Sequence, residues 1–202
     1  MDRCFKEARL SVETKIRGIA KLVLRSESRA DAYHEIRRRI LGEPSVPAGE
    51  LRRFLVICHG NICRSPYAAS ILSQALPRAE VVSTGLSAAE GDPTDENALA
   101  TARRRGIGLE DHQSMPTTSR HIEWADAILV MEGRHAREAA RRWSSSKRKT
   151  RVLGHYLSRP PFSIPDPWGQ TPDVFDRVFD QLEEAVSRFA LLARGTINMT
   201  TE

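Results

Sequence analysis

Cys58 and Arg64 stand with five residues between them in the run Cys58-His59-Gly60-Asn61-Ile62-Cys63-Arg64-Ser65-Pro66. A cysteine thiolate is a strong nucleophile, and a guanidinium fork matches the oxygens of a phosphate. If the intervening residues curl around a tetrahedral anion with their N–H groups inward, the sulfur lies beneath phosphorus and the guanidinium beside it. That is the arrangement needed for in-line attack. Inward amides, a helix N-terminus and Arg64 would pull the Cys58 pKa from about 8.5 into the range of roughly 3.5–7.5. Ser65 is placed to donate its hydroxyl to the sulfur and to help the thiolate leave in a second step. Gly60 would serve the turn, Asn61 a left-handed backbone position, and Pro66 the first turn of a helix.

Hydrolysis through such a nucleophile needs an acid for the leaving oxygen and then a base for water. Asp166, in Ile164-Pro165-Asp166-Pro167-Trp168-Gly169, is the candidate for both roles. Prolines on each side stiffen its loop, and Trp168 is expected to shield the carboxyl from water and raise its pKa. Each signal has a plainer reading when taken alone. Buried cysteines are usually inert packing residues, Cys-x5-Arg arises by chance in an arginine-rich chain, and Asp-Pro is a common turn-former. The longer string around Cys58, in which each residue has a distinct job, favours chemistry.

The elements that must position these residues follow from the apolar pattern. Phe54-Leu55-Val56-Ile57 reads as a strand that ends at Cys58, and Tyr67, Ala68, Ala69, Ile71 and Leu72 read as the helix after it. Strands are expected near 52–58, 80–83, 126–131 and 150–153, and helices near 66–76, 94–105, 132–143 and 172–193, with Gly106-Ile107-Gly108 closing the second helix. Such alternation implies a parallel sheet with helices on both faces. Ligands then sit at the carboxyl ends of the strands, where Cys58 falls.

Residues 1–42 read as two further helices. Phe5, Ala8, Val12, Ile16, Ile19, Ala20, Val23 and Leu24 form one apolar stripe, and Ser26 caps a second helix carrying Ala30, Tyr33, Ile36, Ile40 and Leu41 and ending at Gly42. His34 is read there as a surface residue, and 42–49 as a linker. The helix pair could dock on the following domain, pair with a second copy in a homodimer or lie on a membrane surface, and docking or pairing is the plainer choice. The chain therefore divides into an extension with linker over 1–50 and a domain over 51–202.

The 202 residues, 40% of them hydrophobic and 28% charged, suit one globular domain with an appendage. No apolar run approaches the roughly 18 residues that span a bilayer, and Met1-Asp2-Arg3-Cys4 lacks a signal peptide's apolar core. A cytoplasmic location is expected. Three cysteines, an odd number, argue against a disulfide framework. The net charge of +5 suits a solvated face, and no nucleic-acid motif is present. His59, His121, His135 and His155 show no metal spacing, and the chemistry outlined needs neither metal nor cofactor.

The string from Cys58 to Pro66 resembles the phosphate-binding loop of the low-molecular-weight protein tyrosine phosphatases. Val82-Ser83-Thr84-Gly85 resembles that family's second strand and its Ser-Ala-Gly turn, and His112-Gln113-Ser114 its histidine segment. Residues 126–131 resemble its third strand, and Asp166-Pro167-Trp168 its acid loop. The resemblance covers residues 52–194 and leaves 1–50 outside. It implies an α/β fold with a four-stranded parallel sheet and helices on both faces, here preceded by the helical extension. It also implies hydrolysis of phosphotyrosine through a phosphocysteine. Cys58, Arg64 and Asp166 would be catalytic, and His59, Gly60, Asn61, Ile62, Cys63, Ser65 and Trp168 would surround the substrate. Ser83 and His112 would join Asn61 in bracing the loop.

In the same family a cysteine at the place of Cys63 resembles a reversible disulfide safeguard for the nucleophile; a packed small hydrophobe is the other reading. The run 86–93 has no aromatic where many members carry Trp or Tyr, so Trp168 would supply most of the ring contact. Bacterial members acting on tyrosine kinases of exopolysaccharide assembly show a similar lack. A phosphotyrosyl protein, in particular such an autokinase, is thus the expected partner. Protein-arginine phosphatases of the family carry a smaller polar residue at the position of Ile62, which favours phosphotyrosine. Arsenate reductases on this fold need further cysteines downstream, and none follows Cys63. A non-catalytic phosphate-binding or scaffold module would need neither the thiol nor the acid.

Overall fold

The computed structural model describes residues 28–197. The expected helix from Phe5 to Leu24 and the Ser26 cap lie outside them. In chain order the elements are α1 (Ser28–Leu41), β1 (Arg53–Cys58), α2 (Arg64–Ala75), β2 (Glu80–Gly85), α3 (Glu96–Arg104), α4 (Ser119–Trp124), β3 (Ala127–Val130), α5 (Gly133–Arg142), β4 (Thr150–Val152) and α6 (Pro172–Ile197), with 3-10 turns at Ser144–Arg148 and Leu153–Tyr156. The eight elements expected from 52 onward are all present, and α4 is an addition that the apolar pattern did not announce. No described helix is long and apolar enough to cross a membrane.

The strands form one parallel sheet in the order β2-β1-β3-β4. β1 is central and almost wholly buried, so its sequence is apolar on both faces. Phe54, Val56 and Cys58 face a core shared with Tyr67 and Leu72 of α2, Ala98 and Ala102 of α3, and Phe175, Phe179 and Phe189 of α6. Leu55 and Ile57 face the opposite core with Ile122, Ile128 and Val130. The pleat alone makes this division, since successive side chains point to opposite faces. Tyr67 stacks on Phe179 at 3.9 Å between centroids, and its hydroxyl donates to Glu183, which fixes α2 against α6. α3 ends as its glycines foretold. Gly106 adopts φ +73°, and the N–H groups of Ile107 and Gly106 reach the carbonyls of Ala102 and Arg103, a Schellman closure.

Strand order reverses direction beside β1, so the crevice between the carboxyl ends of β1 and β3 is the topological switch point. Cys58 ends one of these strands, and Met131 and Glu132 follow the other.

Three expectations for the extension change. His34 is not a surface residue: its ring packs against α5 and lies 5.3 Å from that of His155. A Cβ at Gly133 would come within 2.6 Å of the His34 ring and 2.7 Å of the Ala30 carbonyl, so glycine there permits the close approach of α1. The docked face is largely polar, and Ile40, an apolar residue of the expected second helix, is 55% exposed. Nor is 42–49 a loose tether, because Glu43 pairs with Arg188 and the Ser45 carbonyl accepts from Arg151 at 2.8 Å.

Burial holds both imidazoles of the α1 interface neutral. His34 is pushed down to about 4, with Arg37 adding to the effect of burial, and His155 to about 3, with His34, Arg37 and Arg38 adding to it. Below the ordinary imidazole value of about 6.5 the unfolded chain takes up protons that the folded chain refuses, so unfolding free energy falls as pH drops toward 4. The denaturant midpoint should therefore decline through that window. A His34→Gln/His155→Gln variant should show a shallower decline when unfolding is followed by fluorescence at several pH values.

Candidate active site

The loop from His59 to Cys63 joins a strand end to a helix start. Asn61 takes φ 57°, the left-handed position expected of it. It is stable there because its side chain and backbone are bound on every side. The Asn61 amide donates to Ser65 Oγ at 2.9 Å and Ser83 Oγ at 3.0 Å, and its Oδ1 accepts from the N–H of Met115 at 2.8 Å. Its carbonyl accepts at 2.7 Å from His112, whose Nε2 must therefore carry the proton. Ser83 and His112 thus stand where the bracing role requires. Gly60 differs from expectation, since its φ is not positive and a Cβ on it would meet only the Ile62 side chain at 3.6 Å. The glycine that the turn demands is Gly85, where a Cβ would lie 2.6 Å from the His59 carbonyl and 2.9 Å from the Asn61 nitrogen.

Cys58 Sγ is buried. It accepts the Asn61 backbone N–H at 3.2 Å and sits 3.0 Å from Ser65 Oγ. Ser65 already accepts from the Asn61 amide, so its own proton is left for the sulfur or for the Thr84 carbonyl at 3.3 Å. A thiolate is the stronger acceptor of the two. Cys63 is also buried, and burial, with Asp95 adding, pushes its thiol well above the usual range. It is a packed neutral thiol, unsuited to be a second nucleophile.

Arg64 is 1% exposed and held from several sides. Nη1 donates to Glu132 at 2.6 Å and to the Ile164 carbonyl at 3.1 Å, and Nη2 donates to Asp166 at 2.5 Å. Its Nε–H is buried and has no hydrogen-bond partner among the described residues. Arg64 lines the same hollow as Cys58. Glu132 was missed by sequence reasoning. The signal for it was a charge directly after the buried strand β3, across the switch point from Cys58. It also accepts from Arg134 at 2.8 Å, so one buried carboxylate serves two guanidinium groups.

Asp166 crosses to this site from the segment before α6. A hollow of about 330 Å³ is lined by Cys58, His59, Gly60, Ile62, Cys63, Arg64, Asp166 and Trp168. Asn61, Ser65, Ser83 and His112 support it from behind. Ser87, Ala88, Ala89 and Asp92 complete the wall, which confirms a side without aromatic residues. Trp168 does not cover the acid as expected. It is 65% exposed, and it meets Asp166 through its backbone N–H, which donates at 3.3 Å.

The bracing of the loop gives one direct test. Gly85→Ala forces a Cβ into backbone atoms of the loop and should destabilise the fold by about 1–3 kcal/mol. It should also weaken inhibition by inorganic phosphate or vanadate, with the far-ultraviolet circular dichroism unchanged.

Comparison with known proteins agrees with this geometry. The family described as low molecular weight phosphotyrosine protein phosphatase matches residues 53–198. The probable low molecular weight protein-tyrosine-phosphatase AmsI of Erwinia amylovora is 36% identical, over 69% of this chain and 95% of its own length. The protein-arginine-phosphatase of Geobacillus stearothermophilus is also 36% identical, over 68% of this chain and 93% of its own. Among solved structures, the tyrosine phosphatase Wzb of Escherichia coli K30 in complex with sulphate superposes with TM-score 0.67 at 35% identity, covering 70% of this chain and 97% of that one. With the sheet order, the braced loop and the acid opposite it all in place, the chain belongs to the low molecular weight phosphotyrosine protein phosphatase family.

Proposed function

We propose that this protein hydrolyses phosphotyrosine in proteins through a phosphocysteine at Cys58. The observation that carries the reading is that a buried sulfur, a buried guanidinium with an unpartnered N–H and a carboxyl from a distant loop line one hollow. The phosphoryl oxygens take the Arg64 Nε–H and the loop amides, which neutralise charge as it develops. Cys58 Sγ attacks phosphorus in line while the bond from phosphorus to the tyrosyl oxygen breaks, and Asp166 gives that oxygen its proton. Asp166, now a carboxylate, takes a proton from water as the water attacks phosphorus. The sulfur–phosphorus bond breaks, and Ser65 and the Asn61 N–H receive the returning thiolate. That the related Wzb is found in complex with sulphate supports the binding of an oxyanion.

The apolar Ile62 and Trp168 at the hollow fit an aryl ring, and the chain's likeness to the tyrosine phosphatase AmsI supports that substrate. The open wall of Ser87, Ala88 and Ala89 favours a phosphotyrosine presented on a large protein surface. A cytoplasmic tyrosine autokinase of exopolysaccharide assembly is the substrate we favour. The equal likeness to a protein-arginine-phosphatase gives phosphoarginine as the second reading.

Turnover of an aryl phosphate should fall at least about 10³-fold in Cys58→Ser and about 10²-fold or more in Asp166→Ala. Asp166→Ala should accumulate a phosphocysteine visible by mass spectrometry after acid quench. Wild-type-like turnover by Cys58→Ser removes the mechanism. A protein active on phosphoarginine but inert to phosphotyrosyl peptides moves the assignment to the second reading.

A further inference from the structure

α1 lies outside the residues matched by the family, yet it is bonded to both segments that hold Arg64 and Asp166. The acid loop contains Pro160, Pro161, Pro165 and Pro167 and so has few backbone donors of its own. It is anchored where donors remain. The N–H of Phe162 donates to Glu35 of α1 at 2.7 Å, and two residues on the N–H of Ile164 donates to the Met131 carbonyl at 3.1 Å. Ile164 in turn offers its carbonyl to Arg64, and Asp166 follows two residues later.

Arg38 secures the same stem. Its side chain donates to the carbonyls of His155 at 2.5 Å and Leu157 at 3.3 Å, and its guanidinium lies 4.5 Å from the centre of the Phe162 ring. Gly154 lets that backbone lie close, since a Cβ there would be 2.7 Å from the Phe162 carbonyl. A second arm reaches Arg64 from the other side. Asp31 accepts the backbone N–H of Arg134 at 2.9 Å, Arg134 donates to Glu132, and Glu132 holds Arg64.

We propose that α1 is a positioning element of the catalytic site: Glu35 and Arg38 fix the stem from which Asp166 reaches over Cys58, and Asp31 fixes the Arg134 and Glu132 pair that orients Arg64. The role assigned to Asp166 rests on the phosphatase reading; the anchoring of the loop by α1 does not. An acid held a fraction of an ångström out of place loses its effect on a poor leaving group first, because a good one departs without its proton.

The test uses the full chain. In Glu35→Ala/Arg38→Ala, kcat/KM for phenyl phosphate relative to that for 2,4-dinitrophenyl phosphate should fall at least about tenfold. Glu35→Gln keeps an oxygen for the Phe162 N–H and should stay near the wild-type ratio. An unchanged ratio in the double variant overturns the proposal for this arm whatever the absolute rates. Asp31→Ala should instead weaken inhibition by inorganic phosphate with the ratio unchanged, and unaltered inhibition overturns the second arm. Hydrogen exchange supplies a readout independent of activity: peptides from 157–170 should exchange faster in the double variant while those from 53–63 do not. Exchange unchanged in 157–170, or raised throughout the chain, overturns the anchoring. If the wild type is inert toward aryl phosphates, the phosphatase reading falls and the exchange result alone decides the role of α1.

Discussion

The interaction on which the site depends is the confinement of one guanidinium. Arg64 has lost nearly all its water, and a buried charge is tolerated only when partners replace that water. Those partners are Glu132, the Ile164 carbonyl and Asp166, which come from the end of β3 and from the loop before α6. By satisfying Arg64 they are themselves brought to the carboxyl edge of the sheet. The demand of a single charge for company thus assembles three separate segments around Cys58. It also leaves the Nε–H of Arg64 without a hydrogen-bond partner among the described residues.

The sulfur is organised by a different means. Its surroundings supply a backbone N–H, a serine hydroxyl and the start of α2. These are dipoles rather than charges. Keeping them fixed requires Asn61 in a left-handed conformation, and four hydrogen bonds from β2, α2 and the 112–115 segment hold it so. Gly85 makes room for that arrangement. The left-handed residue of the loop is thus held by hydrogen bonds from three separate segments.

The N-terminal helix is joined to this assembly by polar contacts. Asp31, Glu35 and Arg38 meet backbone groups, and Ala30 and His34 fill the gap above Gly133. A polar seam specifies position well and contributes modestly to stability, because each hydrogen bond replaces one with water. The neutral imidazoles of His34 and His155 add a pH-dependent cost to the same seam.

The sequence by itself determined the sheet and the chemistry at one edge of it. The continuous apolar run of β1, the alternation of strands and helices and the string from Cys58 to Pro66 are local patterns, and local patterns follow from backbone geometry and propensity. Asn61 as the left-handed residue and Gly106 as a helix stop were legible for the same reason. Glu132 as the partner of Arg64, Gly85 as the glycine that counts, Trp168 turned outward and the polar docking of α1 were not. Each depends on which distant segment lies alongside, and an ion pair across 68 residues or a hydrogen bond across 127 leaves no mark in the spacing of either partner. Tertiary structure decided those, because burial turns an ordinary charged residue into one that must find a specific partner.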